Sequence, residues 1–301
     1  MRTPVLRAAT RTSPLAGRQT EIVLELLSAT CGIETEAVAV STVGDRRFDT
    51  PIHEMGGKGV FVKEVQAAVL DGRADIAVHS AKDLPSSTPE GLLLAAVTRR
   101  GDPRDALVGC PLADLPYGAT VATGSVRRKA QLAWLRPDLT FAELRGNIAT
   151  RLDKAAGFDA IVMAAVALGR LGLEPDVLDV LEPDMFVPQV GQGAIAVECR
   201  SDDRETLRTL SAIEHQPSRR AVDAERAFLA ELGGDCSLPA GAHAADAPGG
   251  GLELTGLLAS LDGRVLIRDT RRGRDPSTLG RAVARHLLDD CGGRVLLGAD
   301  R

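Results

Sequence analysis

Val121-Ala122-Thr123-Gly124-Ser125-Val126-Arg127-Arg128-Lys129-Ala130-Gln131-Leu132 reads as a strand ending at Gly124, handed to a helix that Ser125 caps and that runs on to Leu135. A strand passed directly to a helix is the unit of a layered α/β fold. The helix start carries a conflict. Three cations occupy its first turn, where the macrodipole is already positive and each misplaced cation costs roughly 0.3–1 kcal/mol. Two readings remain open here. Arg127 and Arg128 either snorkel into solvent, or mark an anion held by free backbone N–H groups and guanidinium forks.

The same pattern recurs outward. Val5 to Thr10 reads as a strand, and Ser13 caps a helix with Pro14 at its first position and Leu15, Ile22, Val23, Leu26 and Leu27 as its apolar stripe. A second helix follows Gly56-Gly57-Lys58-Gly59, burying Phe61, Val65, Ala68 and Val69, and Ala74 to His79 is a buried strand. Gly72-Arg73-Ala74-Asp75-Ile76-Ala77-Val78 is echoed by Ala156-Gly157-Phe158-Asp159-Ala160-Ile161-Val162: a helix end, an aspartate, then an apolar strand. Two similar α/β lobes facing each other across a cleft would produce that echo.

Arg99-Arg100-Gly101-Asp102-Pro103-Arg104 reads as a crossover between lobes and Gly191-Gln192-Gly193 as the return, followed by an apolar strand from Ala194 to Cys199. The first domain is therefore expected in two pieces, 1–98 and 194–213, and the second over 99–193. A smaller α+β domain, 214–301, has strands at Leu252–Leu261 and Arg264–Arg268 and a helix around Arg281–Leu288.

Net charge is −5 over 301 residues, which argues against a generic nucleic-acid surface. Yet the cations are 31 Arg against 5 Lys. Arginine offers a planar fork suited to carboxylate or phosphate, so an acidic chain with arginines in particular loops points to a small polyanion as ligand. The five cysteines are scattered without CxxC spacing, which argues against a metal site or a disulfide framework. No signal-peptide pattern and no run of about 18 apolar residues is present. A cytoplasmic location without a membrane partner is expected.

Five loops bring cations to strand ends or helix starts: Arg11 with Ser13, Lys58, Lys82, Ser125 with Arg127 and Arg128, and Arg145 with Arg151. Binding crevices of α/β sheets lie at such ends. Singly, each is a solvated surface group. In His79-Ser80-Ala81-Lys82-Asp83-Leu84-Pro85 an apolar strand delivers a Lys–Asp pair. Asp83 among cations can stabilise a developing positive charge and shuttle a proton, or it can merely close a salt bridge or an Asx-turn. His79 reads as a satisfied, half-buried histidine. Cys236, in Gly233-Gly234-Asp235-Cys236-Ser237-Leu238-Pro239, lies in an accessible loop beside an acid that discourages a fast nucleophile. A thiol that reacts once and stays modified fits both facts. Cys31, Cys199 and Cys291 read as small core residues.

Together these motifs resemble hydroxymethylbilane synthase, the porphobilinogen deaminase family. The most specific are Gly56–Phe61, His79–Pro85 and Thr123–Arg128, and Leu144-Arg145-Gly146-Asn147-Ile148-Ala149-Thr150-Arg151 and Val190–Ala194 complete the set. The resemblance implies two lobes built like periplasmic binding proteins, a small third domain, and a monomer. It implies a dipyrromethane cofactor joined by a thioether at Cys236, and condensation of four porphobilinogens with loss of ammonia before hydrolysis releases the linear tetrapyrrole. Asp83 would be the catalytic group. Arg11, Ser13, Lys58, Ser80, Lys82, Thr123, Ser125, Arg127, Arg128, Arg145, Arg151 and Arg170 match positions that bind acid side chains or assist turnover, and Gln192 matches a hinge glutamine. Asp235 and Ala81 depart from the family's commoner residues. The rival reading is a non-catalytic two-lobed polycarboxylate-binding protein, which leaves Lys82–Asp83 and Cys236 without a purpose.

Overall fold

The computed structural model describes residues 5–42, 59, 61–234 and 238–298. The chain divides into two compact units, Met1–Gly101 with Gly193–Arg219, and Asp102–Gln192 with Arg220–Arg301.

The first unit is built on β1 (Leu6–Arg11), α1 (Pro14–Cys31), β2 (Thr35–Val40), α2 (Lys63–Leu70), β3 (Ile76–Ser80) and β4 (Leu92–Val97). The second opens with β5 (Asp105–Val108), β6 (Thr120–Ala122), α3 (Val126–Leu135), β7 (Thr140–Ala142), α4 (Ile148–Asp153), β8 (Ala160–Ala164), α5 (Ala165–Arg170) and β9 (Leu178–Leu181). The chain then returns to the first unit with β10 (Ile195–Arg200) and α6 (Arg204–Ser211). It ends in α7 (Gln216–Glu231), β11 (Ala240–Asp246), β12 (Leu252–Ala259), β13 (Leu266–Gly273), α8 (Pro276–Arg285) and α9 (Gly293–Gly298).

The two five-stranded sheets have one topology. Their orders are β2-β1-β3-β10-β4 and β7-β6-β8-β5-β9. In each, three strands run parallel through strand–helix–strand units and the fourth, β10 or β5, pairs antiparallel with both neighbours. The repeated aspartate motif has the same job twice. Asp75 Oδ2 accepts from Arg7 N at 2.9 Å, and Asp159 Oδ2 accepts from Thr120 N at 2.7 Å, so each clasps the start of the neighbouring parallel strand. The echo in sequence is an echo in structure.

In the first unit Val23 and Leu27 of α1 pack with Ile76, Val78 and Val197; each such buried side chain contributes roughly 1.5–3 kcal/mol. Leu26 of the expected stripe is 38 % exposed, and Gln19 and Thr20 are buried instead. Phe61 precedes α2 and leaves the helix to bury Val65, Gln66, Ala68 and Val69. The small antiparallel sheet β11-β12-β13 packs Leu254 and Leu258 with Phe228 of α7 and Val283 of α8. It also meets α3 through Leu257, Ala259 and Ala130, which joins it to the second sheet in one unit. Among the described residues no helix is long and apolar enough to cross a membrane.

Three expectations are corrected. Cys31 is half-buried, not core; Cys291 is half-buried but packs against the core around Phe228 and Val283; of these three Cys199 alone is fully buried, and burial pushes its thiol up to about 11. The last long helix begins at Pro276, where Asp275 caps it by accepting from Thr278 N at 2.8 Å. His79 is neither half-buried nor satisfied: it is 5 % exposed and, among the described residues, its Nε2 has no hydrogen-bond partner.

Candidate active site

In the first unit β1 ends at Arg11 and α1 starts two residues on, capped by Ser13, whose Oγ accepts from Ala16 N at 3.3 Å. Beside it β3 ends at Ser80, and a single 3-10 turn, Ala81–Asp83, presents Lys82 and Asp83. Ala81 N donates to Ala194 O at 3.0 Å, so the returning segment before β10 sets that turn. Ser80 Oγ donates to Gln19 Oε1 at 2.9 Å. The Arg11 guanidinium lies over the Phe61 ring, 4.3 Å from its centroid, and its Nη1 is 3.9 Å from Asp83 Oδ2. Cation–π attraction orients the guanidinium without neutralising it. Arg11, Ser13, Gln19, Phe61, Lys82 and Asp83 line one solvent-open hollow. A carboxylate and two cations in such a hollow can face a substrate that carries both an ammonium and acid side chains.

The second unit resolves the conflict at the start of α3. Arg127 and Arg128 are 2 % and 6 % exposed, so neither points to solvent. Both turn back onto Asp105, the first residue of β5. Arg127 Nη2 donates to Asp105 Oδ2 at 2.7 Å, while Arg128 Nε and Nη2 donate to Oδ1 at 2.9 and 2.7 Å. Arg127 Nη1 donates to Val187 O and Arg128 Nη1 to Val162 O. Gln192 Nε2 adds a hydrogen bond to Asp105 Oδ1 at 3.0 Å and another to Pro103 O at 2.7 Å. Burial pushes the Asp105 carboxyl up, but the two guanidiniums and the Gln192 amide overcome it and hold the group at about 2. The anion at this helix start is the chain's own. Two guanidiniums against one carboxylate still leave an excess positive charge, and Arg127 Nε is buried with no hydrogen-bond partner among the described residues.

Around that core, Ser125 caps α3 through Arg128 N at 3.4 Å, and Thr123 Oγ1 accepts from Ser125 N at 3.2 Å. Gly124 is where Arg145 comes closest: a Cβ there would lie 3.0 Å from Leu144 O and 3.1 Å from Arg145 Nη1. Arg145 Nη2 pairs with the exposed Glu143 at 3.0 Å. Arg151 Nε donates to Gly146 O at 2.8 Å. Arg170, at the end of α5, is half-buried, and burial lowers its guanidinium to about 10. Lys58 and Cys236, with Asp235, lie outside the described residues.

Three residues near these groups escaped the sequence reading. Asp105 and Glu198 are fully buried acids, at 0 % and 1 % exposure, within apolar strands. An acid interrupting an apolar run is a signal for Glu198; Asp105 follows Pro103-Arg104 and opens its strand, so it carries no such signal. Phe61 was read as core, and nothing in its spacing announced that it would carry Arg11.

Residues 6–208 match the family model described as porphobilinogen deaminase, dipyromethane cofactor binding domain, and residues 220–289 the model for that family's C-terminal domain. Curated relatives called porphobilinogen deaminase align almost end to end. That of Roseiflexus castenholzii is 49% identical over 300 residues, covering 97% of this chain and 98% of its own. That of Brevibacillus brevis is 43% identical over 296 residues, covering 96% of each. A solved nutrient binding protein from Burkholderia cenocepacia bound to methionine aligns with 71% of this chain and 93% of its own, at 15% identity and a TM-score of 0.43.

Proposed function

The chain belongs to the porphobilinogen deaminase family, and on that premise we propose which of its residues carry the reaction. Its activity is that of hydroxymethylbilane synthase, a transferase of porphyrin biosynthesis. It condenses four porphobilinogens head to tail with loss of ammonia and releases the linear tetrapyrrole by hydrolysis. Its cofactor is dipyrromethane, which supplies a covalently held primer to which the substrate units are added.

Asp83 is the reacting carboxylate in this reading. When the aminomethyl nitrogen of a substrate leaves, positive charge develops beside it, and a carboxylate fixed on a short turn stabilises that charge without reorganising. Asp83 then takes the proton that the attacking pyrrole carbon must lose. Arg11 keeps the carboxylate in place from 3.9 Å while Phe61 keeps Arg11 in place. Ser13, Ser80 and Lys82 on the first unit, with Lys58, are proposed to receive acid side chains. Thr123, Ser125, Arg127, Arg128, Arg145, Arg151 and Arg170 are proposed to do so on the second, and Gln192 to act at the crossover. The unpartnered buried Arg127 Nε and the excess charge around Asp105 fit such a role. Cys236 is proposed to hold the cofactor. The division into 1–98 with 194–213, 99–193 and 214–301, a monomeric state and a cytoplasmic location belong to the same proposal.

The observation that carries it is the Asp83–Arg11–Phe61 arrangement at the hollow. The test is Asp83→Asn beside Cys236→Ser. Asp83→Asn should keep the wild-type circular dichroism and an added mass of two pyrrole units, while turnover falls about a hundredfold or more. Cys236→Ser should have the mass of the bare polypeptide. Near-normal turnover in the first, or the added mass in the second, overturns the respective assignment.

A further inference from the structure

Glu198 sits in the middle of β10, between Val197 and Cys199, both fully buried. Among the described residues its carboxylate has little to compensate it. Gln66 Nε2 of α2 donates to Glu198 Oε2 at 2.8 Å, and His79 Nε2 of β3 lies 3.1 Å from the same oxygen but off the line a hydrogen bond needs. A buried acid so thinly partnered is a poor way to gain stability, because an apolar side chain of similar volume serves a core as well or better.

Its position explains it. α2 follows directly on Phe61, the ring that carries Arg11. β10 lies beside β3, with Ile195 opposite Ser80, and the residue before β10, Ala194, accepts from Ala81 N in the turn that presents Asp83. The Gln66–Glu198 hydrogen bond therefore ties the element behind the Arg11 wall to the strand that sets the Asp83 turn. His79, which lines the hollow, packs against the same carboxylate. We propose that Glu198 is a positioning residue for the condensation: acting through Gln66 and His79, it fixes the Arg11–Phe61 wall relative to Asp83. The proposal rests on the reading of Asp83 as the reacting carboxylate. A misplacement of about 1 Å at a reacting group can cost about a hundredfold in rate.

The test compares Glu198→Leu, Glu198→Gln, Gln66→Met and Asp83→Asn in the full-length, cofactor-loaded enzyme. Glu198→Leu should lower kcat at least about tenfold with KM changed less than about threefold, beside a modest loss of Tm from the buried Gln66 amide left without its acceptor. Glu198→Gln, which can still accept from Gln66, should restore kcat to within about threefold. Gln66→Met cuts the same tie from the helix side and should reproduce the loss in kcat, so the proposal stays open to refutation if Glu198→Leu does not fold. Wild-type kcat in Glu198→Leu or Gln66→Met, or a Gln variant no better than the Leu variant, overturns it while leaving Asp83 untouched. Full turnover in Asp83→Asn overturns the underlying reading instead.

Discussion

Asp105 Oδ2 accepts a hydrogen bond from Arg127 Nη2 at 2.7 Å in a place where neither side chain meets solvent. This pair turns an electrostatic fault at the start of α3 into a buried cluster shared with Arg128 and Gln192. Removing one partner of such a cluster leaves uncompensated charge inside the protein. Asp105→Asn is expected to cost about 3–5 kcal/mol in urea unfolding. A loss below about 1 kcal/mol would mean that the arginines find solvent or other acceptors.

The same carboxyl makes stability depend on acid. Its folded value, about 2, lies below its ordinary 3.8. The unfolded chain therefore binds the proton first, and the contribution is complete above about pH 4 and lost as pH falls towards 2. It amounts to something on the order of 2 kcal/mol. The stability difference between wild type and Asp105→Asn should shrink by about that amount between pH 5 and pH 2. A difference that stays constant over this range would show that Asp105 is not the titrating group.

Ser13 and Ser125 cap equivalent helices in the two sheets. Each Ser→Ala change should cost about 1 kcal/mol of stability through the lost cap. If both also hold acid side chains of the substrate, KM should rise in both variants. An unchanged KM would leave them as caps alone.

Gly280 lets α8 lie close against α7. A Cβ there would lie 2.2 Å from Ala224 O and 2.8 Å from Phe228 N. In an open helix Gly→Ala gains up to about 1 kcal/mol. Here overpacking should win, and Gly280→Ala should lose about 1–3 kcal/mol. A higher Tm would show that the two helices can separate without cost.

Local signals carried the sequence reading furthest. Ser13-Pro14 and Ser125 announced two helix starts, and the paired aspartate motifs announced two like lobes because Asp75 and Asp159 perform one local task. Asp275-Pro276 is the same cap signal, set among arginines that obscure the apolar stripe behind it. β11 was not anticipated; Ala240-Gly241-Ala242-His243 has small residues where strands usually show branched ones, and Gly241 is close to Pro188 O, where a Cβ would come within 2.7 Å. What a helix-start arginine touches depends on residues far away in the chain. Asp105 precedes Arg127 by 22 positions and Gln192 follows Asp105 by 87, so no local pattern could reveal that Arg127 and Arg128 face inward.

The placement of β10 between β3 and β4 has a consequence for how the chain is made. During synthesis those two strands emerge about a hundred residues before the strand that joins them. At roughly 5–20 residues per second, the first sheet waits about 5–20 s with two inner edges unpaired. The second sheet draws all its strands from Asp105 to Leu181 and can close during that wait. On the ribosome the second lobe is thus complete before the first. The turn bearing Asp83 gains its backbone anchor at Ala194 only after the arginine cluster around Asp105 has its partners in hand.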